Sequence, residues 1–258
     1  MGDLIYRPLI EDMTWSYSRL TCFDDCKYRW FMRYIQDLKE IPMFYSDYGS
    51  FMHELIEKYY KGVLSKDEMK TEFLTRFTEK VRGERPGDKI VQSYIQKGLA
   101  YLDGFEPFPF NMLEVECKTN FILDGVKFVA IIDYIGEMDG EYYIVDNKSR
   151  ELKPRSNRKK PTANDQTLDE MLKQLYLYSE VVRQKYGKFP KALCFNCFKN
   201  QQFIVEPFKI EKFNEAVSWM HETIEHICDD NEFNPNMEYF GCRYICGLNY
   251  ECEYWNAR

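Results

Sequence analysis

Asp133, Asp146 and Lys148 are the residues whose types and spacing most directly describe a reaction. Two β-like runs flank Met138-Asp139-Gly140-Glu141, and Asp-Gly between such runs signals a two-residue hairpin because both positions tolerate positive φ. With Asp139 and Gly140 as the loop, paired residue numbers sum to 279, which sets Asp133 opposite Asp146. Opposed side chains on one face of a hairpin lie about 4.5–5.5 Å apart at Cβ, where like charges repel. Asp146 lies inside the apolar run YYIVDNK, and a divalent cation between the carboxylates is the simplest compensation there. Lys148, two residues on, shares their face. Hard oxygen ligands suit Mg²⁺ or Mn²⁺, which polarise a phosphate and lower the pKa of a bound water. A lysine beside them orients that water and offsets charge developing on phosphorus. The set fits phosphodiester hydrolysis. The same pattern also describes a surface hairpin whose acids meet by chance, and a one-residue bulge would break the register.

These side chains need elements to hold them. A helix is predicted from about Ser16 to Ile35, capped by Ser16 or Ser18 and broken near Asp24 to Lys27. Further helices fit Ser46 to Lys61, Lys66 to Arg82 and Asp88 to Asp103, the last two separated by the turn from Gly83 to Gly87. Beyond Pro107 and Pro109 the pattern turns to β, with Met112 to Leu123, Lys127 to Ile135 and Tyr142 to Lys148 as a meander. A helix from Thr167 to Tyr186 carries Leu168, Met171, Leu172, Leu175 and Tyr178 as one stripe. Short strands over Ala192 to Phe198 and Phe203 to Glu206, a helix over Lys212 to Cys228 and an aperiodic tail from Asn234 complete the chain. The class is α/β, with a mixed central sheet flanked by helices and a helical N-terminal part.

With 258 residues, 45% hydrophobic and 30% charged, the chain has enough apolar mass for a large core and is not of disordered composition. The expected organisation is one domain over 1–258: a helical elaboration at 46–105, a catalytic core at 110–210 and a cysteine-rich tail at 234–258. No apolar run approaches the roughly 20 residues of a membrane span, and no basic-then-apolar leader opens the sequence. A cytoplasmic location without membrane contact is expected, in which the nine cysteines are thiols or metal ligands. A net charge of −7 argues mildly against a protein that coats nucleic acid by bulk positive charge. Contact would have to be local, and Lys148 to Lys160 offers it: seven of thirteen residues are Lys or Arg against the single acid Glu151. Arg150, Lys153, Arg155, Arg158, Lys159 and Lys160 are the candidate DNA contacts; a solvated loop is the other reading.

The chain resembles the RecB-like branch of the PD-(D/E)XK nucleases over most of its length. Ser16-Tyr17-Ser18 through Cys26-Lys27-Tyr28-Arg29-Trp30-Phe31 is similar to the family's opening helix, and Gly49-Ser50-Phe51-Met52-His53 to its glycine-x-x-x-histidine motif. Asp133 matches the strand-ending aspartate, Asp146-Asn147-Lys148 the D-x-K core, and Gln174-Leu175-Tyr176-Leu177-Tyr178 the Q-x-x-x-Y motif, all in the family's order. Ala130 stands where the family often has glycine. The resemblance implies that His53, Asp133, Asp146 and the Asn147 carbonyl bind metal and that Lys148 assists the attacking water. Gln174 and Tyr178 would position the substrate backbone or the lysine. Glu116, beside Glu114 and Lys118, corresponds to an accessory acid on the first strand or to an ordinary exposed strand glutamate. DNA, as single strands or duplex ends, is the implied substrate, and exonuclease or end-processing action the implied activity. Implied partners belong to recombination, repair, phage or CRISPR-linked systems.

Cys242, Cys246 and Cys252 form C-x3-C-x5-C in the aperiodic tail, and a fourth thiolate would complete a tetrahedral set. CRISPR-associated RecB-like nucleases and the AddB nuclease domain carry a [4Fe-4S] cluster on one N-terminal and three C-terminal cysteines. By this resemblance Cys26 is the fourth ligand, with Cys22, one helical turn earlier, as its competitor. The tail has one residue more than the usual spacing, and zinc also accepts four thiolates. Cys194 and Cys197 fall on a strand with opposed directions, and Cys117 and Cys228 read as buried thiols. The competing function class is a catalytically reduced nucleic-acid-binding or scaffold subunit on the same fold with a structural zinc.

Overall fold

The computed structural model describes residues 5–257. Helix α1 spans Arg7–Glu11, and α2 (Tyr17–Asp25) and α3 (Lys27–Tyr34) follow, divided at Cys26. Ser16 caps α2 by accepting the Arg19 N–H. Cys26 has extended dihedrals, φ −164° and ψ 110°, so the expected break falls on the cysteine itself. Helices α4 (Phe44–Tyr60), α5 (Lys66–Lys80) and α6 (Asp88–Asp103) precede the sheet. α5 opens on a reciprocal capping box between Ser65 and Glu68.

The sheet comprises β1 (Asn111–Leu123), β2 (Val126–Met138), β3 (Glu141–Lys148), β4 (Ala192–Cys197) and β5 (Gln202–Pro207), in that spatial order. Asp139 and Gly140 both adopt positive φ, 55° and 75°, as the two-residue turn demands. The β2–β3 pairs run Met138–Glu141, Gly136–Tyr143, Ile135–Ile144 and Tyr134–Val145, each summing to 279 as the sequence requires. β3 and β4 pair in parallel, joined through α7 (Ala163–Tyr186), so the meander predicted for the first three strands extends into a mixed sheet. α8 (Ile210–Asp229), a π-helical turn at Gly241–Ile245 and α9 (Glu253–Asn256) complete the order.

Alternation along the central strands divides the core. Tyr143 and Val145 of β3 and Ala192 and Cys194 of β4 pack with Phe51, Leu55 and Phe73 of α4 and α5. Ile144, Leu193, Phe195 and Cys197 pack with Leu168, Leu172 and Leu175 of α7. Cys194 and Cys197 are thereby buried on opposite faces, as expected for C-x-x-C on a strand. Cys228 is buried, whereas Cys117 is partly exposed, contrary to the expectation for it, because its β1 edge is only half covered. Among the described residues no helix is long and apolar enough to cross a membrane.

Candidate active site

The β2–β3 ladder ends at Tyr134–Val145, and the next residues in register are Asp133 and Asp146. Here the Asp133 carboxylate accepts the backbone N–H of Asn147, N to Oδ2 2.7 Å. Both aspartates are buried, at 7% and 5% exposure. Lys148 Nζ lies 2.7 Å from Asp146 Oδ2, off hydrogen-bonding angles, so that this oxygen has a charged neighbour but no donor of its own. The ammonium donates to Gln174 Oε1 at 2.8 Å, so α7 also holds the lysine. Tyr178, one turn beyond Gln174, is buried, and burial with the Asp146 charge pushes its hydroxyl pKa up.

Two further groups reach this point from distant elements. His53, on α4, sets Nδ1 3.3 Å from Asp133 Oδ2. Burial alone would lower the imidazole pKa, but the charge and hydrogen bond of Asp133 outweigh it and hold it above the ordinary value. Glu116 lies on β1 between the ladder pairs Val115–Tyr134 and Cys117–Ile132, in register with Asp133. Its φ is +54°, a left-handed conformation that costs a non-glycine residue about 1–3 kcal/mol and concentrates at functional sites. Desolvation, then the charges of Asp133 and Glu57, push its carboxyl up to about 7. Asp146 is likewise raised, by burial and by Asp133, against the opposing pull of Lys148.

One ligand atom each from His53, Glu116 and Asp133 lies within 4.8 Å of the others. An imidazole nitrogen and carboxylate oxygens at this spacing, with raised carboxyl pKa values beside them, fit a divalent cation. Asp146 completes the set of acids on the Lys148 side. The hairpin register pairs Asp133 with Asp146, and the tertiary structure adds Glu116 and His53 beside Asp133.

All of these side chains line one groove of about 760 Å³. Along α4 it meets, in order, Tyr45, Ser46, Gly49, Ser50, His53, Glu54 and Glu57, the positions that face one way on a helix. A Cβ on Gly49 would stand 3.1 Å from Ser149 Oγ, so the motif glycine lets α4 pass close over the chain leaving Lys148.

A profile of the PD-(D/E)XK nuclease superfamily matches residues 14–256. The chain belongs to the PD-(D/E)XK nuclease superfamily. The fold agrees: a solved structure from Eubacterium rectale, described as a "putative exonuclease", superposes with a TM-score of 0.54 at 15% identity, covering 100% of this chain and 93% of that one. No match is found among curated proteins. Asp146 and Lys148 stand at the end of β3, beyond the last β2–β3 pair, and both line the groove.

The basic loop behaves differently from its sequence. Lys148 and Ser149 line the groove, but the chain then runs away from it. Arg155 donates to Glu206 at 2.8 Å and to Asp169 at 2.6 Å, and Arg150 approaches the Met171 sulfur at 3.8 Å. Lys153, Arg158, Lys159 and Lys160 are exposed. Asp165 pins the loop by accepting from Ser156 and Thr162, four contacts of 2.7 Å, which hold its carboxyl below the usual range. Spacing in the sequence gave no signal for these acidic partners.

Cys26, Cys242, Cys246 and Cys252 line a second cavity, of about 360 Å³. Cys22 is instead buried in the main core, where desolvation pushes its thiol up to about 12. The tail docks on α3 through Met32, Leu248 and Cys252, and on the segment between α3 and α4 through Ile41 N–H to the Gly247 carbonyl at 2.9 Å and the Tyr250 hydroxyl to the Lys39 carbonyl at 2.9 Å.

Proposed function

We propose that the protein is a Mg²⁺- or Mn²⁺-dependent deoxyribonuclease acting as an exonuclease or end-processing enzyme, a single catalytic unit with the helices of 46–105 as an elaboration of its core. The observation that carries this reading is the meeting of Asp133, Asp146, Lys148, Glu116 and His53 in one groove from four separate elements. His53, Glu116, Asp133 and Asp146, with the Asn147 carbonyl, would hold the cation, which when bound supplies Lewis-acid polarisation of the phosphate and a more acidic water. Lys148, held by Gln174 and Asp146, orients the nucleophile and offsets negative charge on the phosphate. Gln174 keeps the ammonium aimed, and Tyr178 closes the groove behind it.

The resemblance to cluster-bearing nucleases assigns Cys26, Cys242, Cys246 and Cys252 to a [4Fe-4S] cluster, zinc being the alternative. Zn–S bonds of about 2.3 Å bring the sulfurs of a tetrahedron to about 3.8 Å from one another. What supports a shared centre is that all four of these cysteines line one cavity. The centre is structural, tying the N-terminal helices to the tail in a cytoplasmic protein that works on DNA ends within a recombination, repair, phage or CRISPR-linked assembly.

The test is digestion of end-labelled single- and double-stranded DNA with Mn²⁺. Asp146→Ala and Lys148→Ala are each expected to reduce cleavage at least 100-fold with unchanged circular dichroism. Near-normal digestion by either variant would sink the assignment.

A further inference from the structure

We propose that the rings of Tyr45, Tyr94, Phe240 and Tyr244 form a stacking track that leads an unpaired nucleic-acid strand into the groove. Recognition would then be of single-stranded nucleotides a short distance from the bond that is cut. The proposal rests on the nuclease reading above and adds the substrate class and the residues that select it.

Tyr45 lines the catalytic groove, and further rings pack against it, Tyr94 on the core side and the exposed Phe240 on the other. Tyr94 lies 5.5 Å from Tyr45 and Phe240 5.7 Å from it, centroid to centroid. Tyr244 lies 5.4 Å from Phe240. Lys199 sits over the Tyr94 ring at 5.3 Å and Arg243 over the Tyr244 ring at 5.9 Å. The rings meet one another tilted or edge-on, and Arg243 and Lys199 also pair with Glu84 and Glu151; aromatic rings with cations beside them are the composition that holds single strands without reading their sequence. Phe240 is 47% exposed, more than a ring that served only to anchor the tail would need.

The groove itself indicates from which end a polyanion arrives. Along α4 the residues on the Tyr45 side of His53 are Ser46, Gly49 and Ser50, whereas on the far side stand Glu54 and Glu57. Ser16, Ser18 and Ser149 add further hydroxyls to the wall. Neutral hydroxyls bind phosphate and sugar oxygens without a basic surface, which suits a chain of net charge −7. Beyond the site Glu54 is taken up by Lys58 and Lys80 and Glu57 by Lys61, whereas the aromatic end offers hydroxyls to a backbone, so that end is the entrance. At about 1.5 Å per residue, Tyr45 and His53 are separated by about 12 Å along the helix axis. At roughly 3.4 Å per stacked nucleotide, and up to about twice that when extended, the rings meet bases about two to four nucleotides from the cations' ligands. A duplex keeps its base faces inside its own stack and cannot offer them to these rings.

The experiment is fluorescence anisotropy of a labelled ten-nucleotide single strand and of the same sequence as a duplex, with Ca²⁺ in place of Mg²⁺. Phe240→Ala is expected to weaken single-strand binding roughly 5- to 160-fold, the range of one base–ring stack, and to leave duplex binding nearly unchanged. Phe240→Trp should restore the affinity. Phe240→Leu keeps an apolar anchor for the tail and should retain the wild-type melting temperature, yet bind single strands as weakly as Phe240→Ala. If the leucine variant binds like wild type, or if strand and duplex lose affinity equally, the rings only pack the tail and the proposal is overturned. Ring-dependent binding without hydrolysis of any DNA would overturn the nuclease reading and leave the track standing; hydrolysis with no ring dependence would do the reverse.

Discussion

Replacing Glu116 with glutamine removes one negative charge from the acid cluster while preserving shape and the left-handed backbone at that position. Burial and the neighbouring Asp133 and Glu57 hold the Glu116 carboxyl at about 7, against an ordinary value of 4.5. Such a difference corresponds to roughly 3 kcal/mol at 1.36 kcal/mol per pH unit. The side chain keeps contact with the groove's water, and screening reduces this to about 1–2 kcal/mol. Because the folded state binds the proton more tightly than the unfolded chain does, the favourable contribution is complete below pH 4.5. It is lost as pH rises through about 7. In EDTA the wild type should therefore lose stability between these limits relative to Glu116→Gln. At pH 8 the variant should melt about 2–8 °C higher, using the usual scaling for a chain of this size. At pH 4.5 the two should coincide. Saturating Mn²⁺ should raise the wild-type melting temperature more than the variant's, since only the wild type presents the third carboxylate. The assay is a thermal melt of both proteins across this range, with and without metal. Parallel pH profiles in EDTA would refute the reasoning, because they would show that Glu116 is not strained by its neighbours.

Neutralising Arg158, Lys159 and Lys160 together should flatten the slope of log affinity against log salt by about 2–3 if each meets a phosphate; an unchanged slope would mean the loop is only solvated. Arg155→Ala should instead act on stability, by about 1–3 kcal/mol, since it leaves Glu206, at 9% exposure, without its partner. Anaerobically prepared protein should be brown with about four irons per chain, and alanine at Cys26, Cys242, Cys246 or Cys252 should remove the colour while Cys22→Ala keeps it. One zinc and no iron would end the cluster assignment. Gly98→Ala on α6 should destabilise by about 1–3 kcal/mol in a urea melt, because its new Cβ would stand 2.7 Å from Phe73 Cζ and 3.0 Å from the Tyr48 hydroxyl.

The pairing of Asp133 with Asp146 was legible in the sequence because a hairpin is local. Two residues with the right φ tolerance set the register, and side-chain alternation then places Lys148 on the same face. The helix boundaries near Ser16, Lys66 and Asp88 were legible for the same reason, since caps and apolar spacing act within a turn or two. The groove was not legible from these rules alone. His53 meets Asp133 across eighty residues because α4 packs on the sheet, and Glu116 turns toward the same point through a left-handed residue that no propensity favours. The residue pattern could not say whether Arg155 meets DNA or protein: Glu206 and Asp169, which neutralise it, lie on other elements. Tyr45 and Phe240 become neighbours only when the tail folds back over the N-terminal helices. Local geometry is written in residue types a few positions apart, whereas a site built from long-range contacts depends on how whole apolar faces pack, and that packing is settled only by the three-dimensional fold.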